Sequence, residues 1–352
     1  MKYSDEYQDK QVIKGLLEKI KEIKFPEKVK IMEVCGTHTM SIFKNGIKSL
    51  LPDNIRLISG PGCPVCVTPE AYINKAIFLA RQENVTITTF SDMLRVPGRY
   101  GSLKKEMTEG RDIRTVNSPL EAVDLARENP KRKVIFLAIG FETTIPTIAL
   151  SVQKAKILGL RNYYLLQSLK TMPPVLKQLL IDEDIKIDGF ILPGHVSTVI
   201  GSRAFEFLSK EYNTSGVVVG FESGDIILGL YRLCTMLKNN KAEVENLYSR
   251  LVNYNGNKKA LAIINEIFRP IDSYWRGMGM IEDSGLELAE GYKRFSAEEK
   301  FQFRQIDYEK NEECICGEIL KGKKKPPDCK LFSNVCTPLE PIGPCMVSQE
   351  GS

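Results

Sequence analysis

The stretch GPGCPVC at residues 60–66 follows an apolar run, IRLIS at residues 55–59, and precedes a segment with helical spacing that begins near Pro69. The apolar run predicts a buried strand. Pro69, the acidic Glu70 and the spaced apolar residues after them predict the start of a helix. A strand, a glycine turn and a helix in this order are typical of α/β folds, in which such turns lie at the carboxyl ends of parallel strands.

The same pattern recurs along the chain, after Val34 and after the apolar runs that end at Gly140, Pro193 and Gly220. We predict strands at approximately residues 30–35, 55–59, 85–90, 134–139, 163–168, 189–193 and 216–220. Alternation of short buried strands with helical segments indicates parallel sheets. The predicted fold class is therefore α/β, with two related doubly wound parallel-sheet domains that face each other across a cleft.

The length of 352 residues predicts two or three domains. We expect a helix over residues 5–24 and a first α/β domain within residues 1–130, followed by a second α/β domain at residues 131–235. Residues 236–300 are expected to be a helical bracing segment, with helices at 242–251 and 258–268. Residues 301–352 are expected to form a small cysteine-rich iron–sulfur domain.

The composition, 43% hydrophobic and 26% charged, is ordinary for a soluble globular protein. No segment has the ~20 consecutive apolar residues that span a bilayer, and the polar start of the chain does not resemble a secretory signal. We therefore predict a cytoplasmic protein without a membrane partner, in which nine cysteines serve as metal ligands or redox thiols. The lysine cluster at residues 321–325 has no interleaved aromatic residues, so no nucleic-acid partner is expected.

Cys63 and Cys66 lie three residues apart on the GPGCPVC turn, which predicts a redox or metal-binding loop. At a helix N-terminus the unsatisfied N–H groups favour thiolate over thiol, so we expect these cysteines to be reactive. The alternative is a structural or accidental pair.

A third thiol, Cys35, lies in CGTH at residues 35–38, also on a strand-to-helix turn. His38 follows within one helical turn, so the two side chains could point the same way and combine a soft metal ligand with a proton carrier. The alternative is that Cys35 packs as a small hydrophobic residue and His38 caps a turn.

The chain has two histidines, His38 and His195, and both lie on predicted glycine turns at strand ends. We predict that both are functional, although a buried structural histidine is the common alternative. Glu142, Asp92 and Glu222 also lie at or just after strand ends. Each could orient a histidine or move a proton, and capping a helix or lying on the surface is the alternative for each.

The last forty or so residues contain five cysteines among many prolines and glycines: Cys314, Cys316, Cys329, Cys336 and Cys345. Such a segment buries little apolar surface and needs a cross-link. In a reducing compartment the two candidates are an iron–sulfur cluster and a zinc ion, with a structural disulfide as a third possibility. The cluster is favoured, because a zinc ribbon would have paired C-x-x-C motifs.

Five stretches together resemble the HypD family of hydrogenase maturation factors: CGTH at 35–38, GPGCPVC at 60–66, GFETT at 140–144, LPGHVS at 192–197 and the tail from Cys336 to Ser348. The resemblance extends from about Lys30 to the last residue. It implies a role in building the Fe(CN)2CO group of [NiFe] hydrogenases. It also implies two partners, the small chaperone HypC and the cyanide donor HypE.

By the same resemblance, Cys35 holds the iron together with the N-terminal cysteine of HypC, and Cys63 and Cys66 are a redox-active pair. The C-terminal cysteines of the family hold a [4Fe-4S] cluster. The family spacing puts three ligands at Cys314, Cys329 and Cys336. The fourth falls one residue beyond Ser352, and Cys345 or Cys316 is the alternative within this sequence.

This role suits the residues, because soft thiolates support electron-rich iron and His38 and His195 could exchange protons. A thiol pair near the iron and a cluster behind it would form a two-step electron relay if the tail packs against the cleft. Two other hypotheses remain. One is a thiol–disulfide oxidoreductase that uses Cys63 and Cys66, and the other is a zinc-stapled binding module.

Overall fold

A computed structural model describes residues 9–182, 184–303 and 313–347. Within these ranges the chain forms eleven strands: β1 (Val29–Glu33), β2 (Ile55–Ser59), β3 (Val85–Thr89), β4 (Ile113–Thr115), β5 (Lys133–Gly140), β6 (Tyr163–Lys170), β7 (Gly189–Leu192), β8 (Ser215–Val218), β9 (Val244–Asn246), β10 (Phe268–Trp275) and β11 (Gly279–Leu288). All seven strands predicted from the sequence are present among them.

The same ranges contain fourteen α-helices: α1 (Lys10–Glu22), α2 (Gly36–Lys44), α3 (Ile47–Leu50), α4 (Glu70–Ala80), α5 (Leu103–Thr108), α6 (Pro119–Glu128), α7 (Ile145–Ile157), α8 (Met172–Ile181), α9 (Gly194–Ile200), α10 (Phe207–Lys210), α11 (Ser223–Lys238), α12 (Lys258–Ile267), α13 (Ala297–Lys300) and α14 (Cys316–Leu320). The helix expected over residues 5–24 is present as α1, and residues 1–8 lie outside the described part. None of the described helices has the length and apolar character needed to cross a bilayer.

The strands form two sheets. The first has the order β2-β1-β7-β8-β9, and every neighbouring pair is parallel. The second has the order β10-β11-β6-β5-β3-β4, in which β6, β5, β3 and β4 are parallel and the β10–β11 hairpin continues the sheet antiparallel. Helical crossovers cover parallel sheets on both faces, and β5 is accordingly buried from its second residue to its last. The predicted α/β class with two mainly parallel sheets is confirmed.

The two sheets do not divide the chain at the predicted boundary between residues 130 and 131. β3, before that boundary, pairs with β5 after it, and β1 pairs with β7. The chain passes to the second sheet after β2, returns to the first at β7 and leaves it again after β9. Neighbours in a parallel sheet are distant in sequence, so a recurring motif does not reveal which strands pair. As folding domains, the four predicted segments stay a prediction.

The predicted helical bracing segment differs from expectation. Residues 242–251 contain β9, which extends the edge of the first sheet, whereas the helix expected at 258–268 is present as α12. Residues 268–288 form the β10–β11 hairpin. The prediction of a helix at 242–251 was wrong because pairing with β8 overrides local helical spacing.

The hairpin braces the loop that follows β5. Trp275, at the end of β10, is fully buried, and its Nε1–H donates to Oγ of Ser284 at 2.8 Å. Its ring stacks on Phe141, with ring centroids 5.8 Å apart. The GFETT loop is therefore held by an aromatic contact from a segment over a hundred residues away in sequence.

The described part of the tail, residues 313–347, packs against strands of the first sheet and the β10–β11 turn of the second. Gly317 in α14 lies against Gly277 in the hairpin turn so closely that a Cβ on Gly277 would be 2.4 Å from the Cα of Gly317. Gly322 lies against the side chains of Ile58 and Met32. These contacts join the tail to the body of the protein, and its iron–sulfur character stays a prediction.

Two of the four lysines of the tail cluster, Lys321 and Lys323, form ion pairs within the chain. Lys323 Nζ lies 2.9 Å from Oδ2 of Asp184 and 3.5 Å from Oδ1 of Asp182, and Lys321 Nζ lies 3.6 Å from Oδ2 of Asp182. The ion pairs connect the tail to the loop that precedes β7.

Candidate functional site

A cavity of about 260 Å³ lies between strand ends of the two sheets. It is lined by residues after β1, β2 and β7 of the first sheet and after β3 and β5 of the second. These loops are at the carboxyl ends of parallel strands, where α/β folds bind ligands. Polar and thiol groups in the lining include Cys35, Thr37, Asp92, Thr143, Thr144 and His195. The cavity therefore lies where the sequence predicts a cleft, between the carboxyl ends of the strands of the two sheets.

Cys35 lies at the carboxyl end of β1 and is the N-cap residue of α2. It is 8% exposed and lines the cavity. Its backbone N–H donates to Oε2 of Glu33 at 3.2 Å, and the N–H of Gly36 donates to the carbonyl oxygen of Gly62 at 3.3 Å. The backbone that carries the Cys35 thiol is therefore fixed by two hydrogen bonds, one to Glu33 and one to Gly62.

Glu33 is a functional candidate that the sequence analysis missed. This residue of β1 is 1% exposed, and its Oε1 accepts a hydrogen bond from Oγ1 of Thr39 at 2.6 Å while its Oε2 accepts from the N–H of Cys35. Burial raises the pKa of Glu33. The available signal was a single acidic residue inside an otherwise apolar strand directly before a glycine turn. Glu33 thus ties the strand to the helix that starts at Cys35.

Cys63 and Cys66 lie in the turns between β2 and α4 and are 3% and 0% exposed. The two residues between them line the cavity, so these thiols lie directly behind its wall. The adjacent Cys63 sulfur and burial raise the pKa of Cys66 well above its ordinary value. This direction is opposite to the helix-stabilised thiolate expected from the sequence, and the reactivity of the pair stays a prediction. Helix α4 begins only at Glu70, four residues after Cys66, and the Cys66 side chain is fully buried.

The two histidines contact the same aromatic ring. His38 is fully buried, its Nε2–H donates to the carbonyl oxygen of Gly220 at 2.9 Å, and its ring centroid lies 4.7 Å from that of Phe221. His195 is exposed, lines the cavity and stacks on Phe221 at 3.9 Å. Cys35 and His195 therefore share the cavity, whereas His38 lies behind Phe221 and supports it.

The surroundings of both imidazoles favour the neutral form. Burial lowers the pKa of His38 to about 4. Desolvation of the His195 ring, one face of which packs on Phe221, lowers the pKa of His195 below its ordinary value of 6.5. Within the described chain, Nδ1 of His38 has no hydrogen-bond partner. A neutral imidazole can accept a proton, and His195 is the one that lines the cavity.

Glu142 follows Phe141 in the GFETT loop and is 4% exposed. Its Oε1 accepts a hydrogen bond from the N–H of Met172 at 2.8 Å, and its Oε2 has no partner among the residues that the structure describes. Burial raises the pKa of Glu142 to about 7, which suits a group that exchanges protons near neutrality. Glu222, by contrast, is the N-cap of α11 and forms a capping box with Asp225.

The tail cysteines converge on one small cavity of about 30 Å³, whose lining includes Cys314, Cys316, Cys329, Cys336 and Cys345. The Sγ atom of Cys316 lies 3.3 Å from that of Cys314 and 2.8 Å from that of Cys345. None of the nine cysteines, all of which lie in described ranges, forms a disulfide.

The side chains of the tail cavity that could bind a metal offer only sulfur atoms. Iron–sulfur clusters and many structural zinc ions are bound by cysteine sulfurs. The cavity has about the volume of one water molecule. Across the described ranges, no three Cys, His, Asp or Glu side chains are arranged to hold a metal ion. The cysteines therefore fit a thiolate-bound group by donor type, and their sulfurs must move apart to hold a four-iron cluster.

The tail cavity lies close to the Cys63–Cys66 pair. Charge on Cys345 and Cys316 contributes to the raised pKa of Cys66. The N–H of Arg276 donates to the carbonyl oxygen of Val67 at 2.8 Å, one residue after Cys66. The GPGCPVC loop thus lies between the main cavity and the tail cysteines.

Comparison with known proteins agrees with these motifs. The HypD family model, described as the hydrogenase formation hypA family, matches residues 11–352. Hydrogenase maturation factor HypD of Azotobacter vinelandii is 44% identical over 361 residues, which cover 100% of this chain and 95% of that protein. HypD of Escherichia coli K12 is 42% identical over 359 residues, covering 100% and 96%. HypD2 of Bradyrhizobium diazoefficiens is 42% identical over 361 residues, covering 100% and 95%. The chain therefore belongs to the HypD family of hydrogenase maturation factors.

Proposed function

We propose that this chain is a scaffold and electron relay on which the Fe(CN)2CO group of [NiFe] hydrogenases is assembled. Membership of a hydrogenase maturation family supports the general role. The observation that carries the finer role is the arrangement of one cavity. Cys35 and His195 line it between the strand ends of two sheets, and Cys63 and Cys66 lie behind its wall.

Iron is the cargo of the proposed scaffold, and Cys35 is its ligand in this chain. A soft thiolate supports low-spin iron that carries cyanide and carbon monoxide. The hydrogen bond from the Cys35 N–H to Glu33 holds the thiol at the cavity wall. A HypC-type chaperone supplies a second thiolate from its N-terminal cysteine, and a HypE-type protein delivers cyanide.

The Cys63–Cys66 pair and the tail cysteines form the proposed electron path. A [4Fe-4S] cluster, held by Cys314, Cys329, Cys336 and either Cys345 or Cys316, supplies electrons when bound. Oxidation of the two thiols to a disulfide supplies the two electrons that ligand attachment to the iron consumes, and it releases two protons. The proximity of the tail cysteines to the thiol pair supports this path. Charge on Cys345 and Cys316 affects the pKa of Cys66, and such an effect requires that these sulfurs lie close to it.

His195, His38 and Glu142 handle protons in this proposal. His195 is neutral and lines the cavity, so it can take a proton released there. Glu142 has a pKa of about 7 and can give or accept one near neutral pH. His38 acts through Phe221, since it contacts that ring and does not line the cavity.

The test is infrared spectroscopy and metal analysis of the anaerobically purified complex with a HypC-type partner. We expect a brown protein with bands in the cyanide and carbonyl stretching regions. Cys35→Ala should remove these bands. Cys234→Ala should keep them, because Cys234 is a buried cysteine of α11 that lines neither thiol cavity. Bands of full intensity in Cys35→Ala would overturn the role of Cys35.

Two results would point to the other functions that the sequence allows. A colourless protein that contains zinc and no iron would indicate a zinc-stapled binding module. Rapid reduction of a model disulfide by the isolated protein, lost in Cys63→Ala, would indicate an oxidoreductase. A cytoplasmic location is part of the proposal, because the cytoplasm keeps thiols reduced.

A further inference from the structure

A second cavity, of about 360 Å³, lies between the start of α4, the end of β6 and the β10–β11 hairpin. It shares no lining residue with the cavity that contains Cys35. The proposed assembly role uses none of its side chains, which nonetheless carry several charges.

Lys170 is the central charge of this cavity. It is 1% exposed, and its Nζ donates to the carbonyl oxygen of Tyr274 at 2.9 Å and to Oγ of Ser273. Burial lowers its pKa to about 8, so the amine still carries its proton at pH 7. Among the described residues no carboxylate forms an ion pair with it. A buried charge is costly unless it is paired, so this position favours an anion.

Two further donors face the same cavity. Ser168 is 8% exposed, and its Oγ has no hydrogen-bond partner in the described chain. Arg276 is held only loosely, with Nη2 3.8 Å from Oε2 of Glu70 and Nη1 3.5 Å from the carbonyl oxygen of Pro97. Its planar guanidinium therefore keeps donors for a ligand.

The first turn of α4 completes the donor set. This helix has eleven residues, and its N-cap, Pro69, provides no side-chain cap. Pro69, Glu70 and Ala71 line the cavity, so the positive end of the helix is adjacent to Ser168 and Lys170. At the same cavity Lys75 pairs with Glu298 at 2.5 Å and Arg276 lies 3.8 Å from Glu70, whereas Lys170 has no carboxylate partner within the described ranges and has only the Trp275 ring, 5.9 Å away, besides its two hydrogen-bond acceptors.

We propose that this cavity binds the phosphate group of a small phosphorylated molecule. An ammonium, a guanidinium, a hydroxyl and helix N–H groups form a set of donors that suits the several acceptor oxygens of phosphate. A volume of about 360 Å³ lies in the range of small-molecule sites and exceeds what phosphate alone fills. Glu70 and Glu298 suit hydroxyl groups on the remainder of the ligand.

The test uses the full chain and isothermal titration calorimetry, with glycerol 3-phosphate, inorganic phosphate and acetate as probes. We expect saturable binding of both phosphates, tighter for glycerol 3-phosphate, and no binding of acetate at the same concentrations. Ser168→Ala should weaken binding about tenfold and Lys170→Gln at least tenfold, since each removes a hydrogen bond to a charged group. Lys177→Gln, an exposed lysine of α8 outside the cavity, should bind as the wild type does.

Ser168→Ala keeps the test decisive if Lys170→Gln does not fold, because the hydroxyl of Ser168 has no partner to lose within the described residues. Absence of saturable phosphate binding, or equal affinities in wild type and Ser168→Ala, would overturn the site. Tighter binding of acetate than of phosphate would overturn the phosphate assignment. Equal affinity for both phosphates would overturn the inference that the ligand extends beyond its phosphate.

Discussion

The backbone of Gly62 packs directly on the backbone of Cys35. A Cβ at Gly62 would lie 2.4 Å from the backbone nitrogen of Cys35, closer than real Cβ atoms approach other atoms. The carbonyl oxygen of Gly62 accepts a hydrogen bond from the N–H of Gly36, the residue after Cys35. The glycine turn before the thiol pair therefore sets the position of the thiol that lines the cavity. Glycine is required here for close approach rather than for a special dihedral angle.

Gly62→Ala should lower the free energy of unfolding by about 1–3 kcal/mol, because the added methyl group must displace the Cys35 backbone. Urea unfolding followed by circular dichroism measures this. Gly15→Ala is the matched control, since nothing lies within 4 Å of a Cβ at that position of α1. That variant should gain roughly 0.5–1 kcal/mol from helix propensity. A Gly62→Ala protein as stable as Gly15→Ala would contradict the contact.

Glu33→Ala should destabilise the protein by about 1–3 kcal/mol, because the N–H of Cys35 and the hydroxyl of Thr39 lose their buried acceptor. Glu33→Gln keeps an acceptor oxygen and should cost less. Guanidinium unfolding provides the comparison, with Glu83→Ala as an exposed control within about 0.5 kcal/mol of wild type. Equal stability of the Ala and Gln variants would show that the hydrogen bonds do not matter.

Glu142 should make stability depend on pH. Its folded pKa of about 7 exceeds its ordinary value of 4.5, so the native state keeps a proton that the unfolded chain loses between these values. The contribution of this proton to the free energy of unfolding is fully present below pH 4.5 and is lost as the pH rises through 7. The free energy of unfolding should fall by about 3 kcal/mol across this range. The measurement is the unfolding free energy of wild type minus that of Glu142→Gln across this window. A constant difference would refute the shift.

The two histidines should titrate separately in nuclear magnetic resonance spectra. His38 should protonate near pH 4 and His195 somewhat below 6.5, whereas both should titrate near 6.5 in 8 M urea. Because the folded pKa of His38 is lowered, its contribution to stability is present above pH 6.5 and is lost as the pH falls through 4. Two native titrations near 6.5 would show that water reaches His38.

Cys66 should react slowly with iodoacetamide at pH 8. Burial and the adjacent sulfur raise its pKa, and no part of it is exposed, so we expect alkylation at least about tenfold slower than at the partly exposed Cys329. Peptide mass spectrometry of the metal-free, reduced protein gives both rates. In denaturant the two rates should converge. A fast native reaction at Cys66 would restore the helix-stabilised thiolate that the sequence predicted.

Local patterns predicted the parts of this protein that depend on neighbouring residues. Strand positions followed from apolar runs, and the turns that carry Cys35, Cys63, Cys66 and His195 followed from glycines after those runs. Strand β9 was not predicted, because it pairs with β8 on the far side of α11. The β10–β11 pairing is local, but the hairpin joins its sheet through β6, more than a hundred residues earlier in the chain. The same reason explains why the sheets do not divide at residue 130.

The sequence by itself determined the α/β class, the family and the set of thiols and imidazoles near strand ends. Only the tertiary structure decided which of them line the cavity. Cys35 and His195 line it, while His38 and Cys66 are buried by segments that lie far away in the chain. The physical reason is that exposure, and with it pKa and reactivity, depends on what packs against a side chain, which no local pattern specifies.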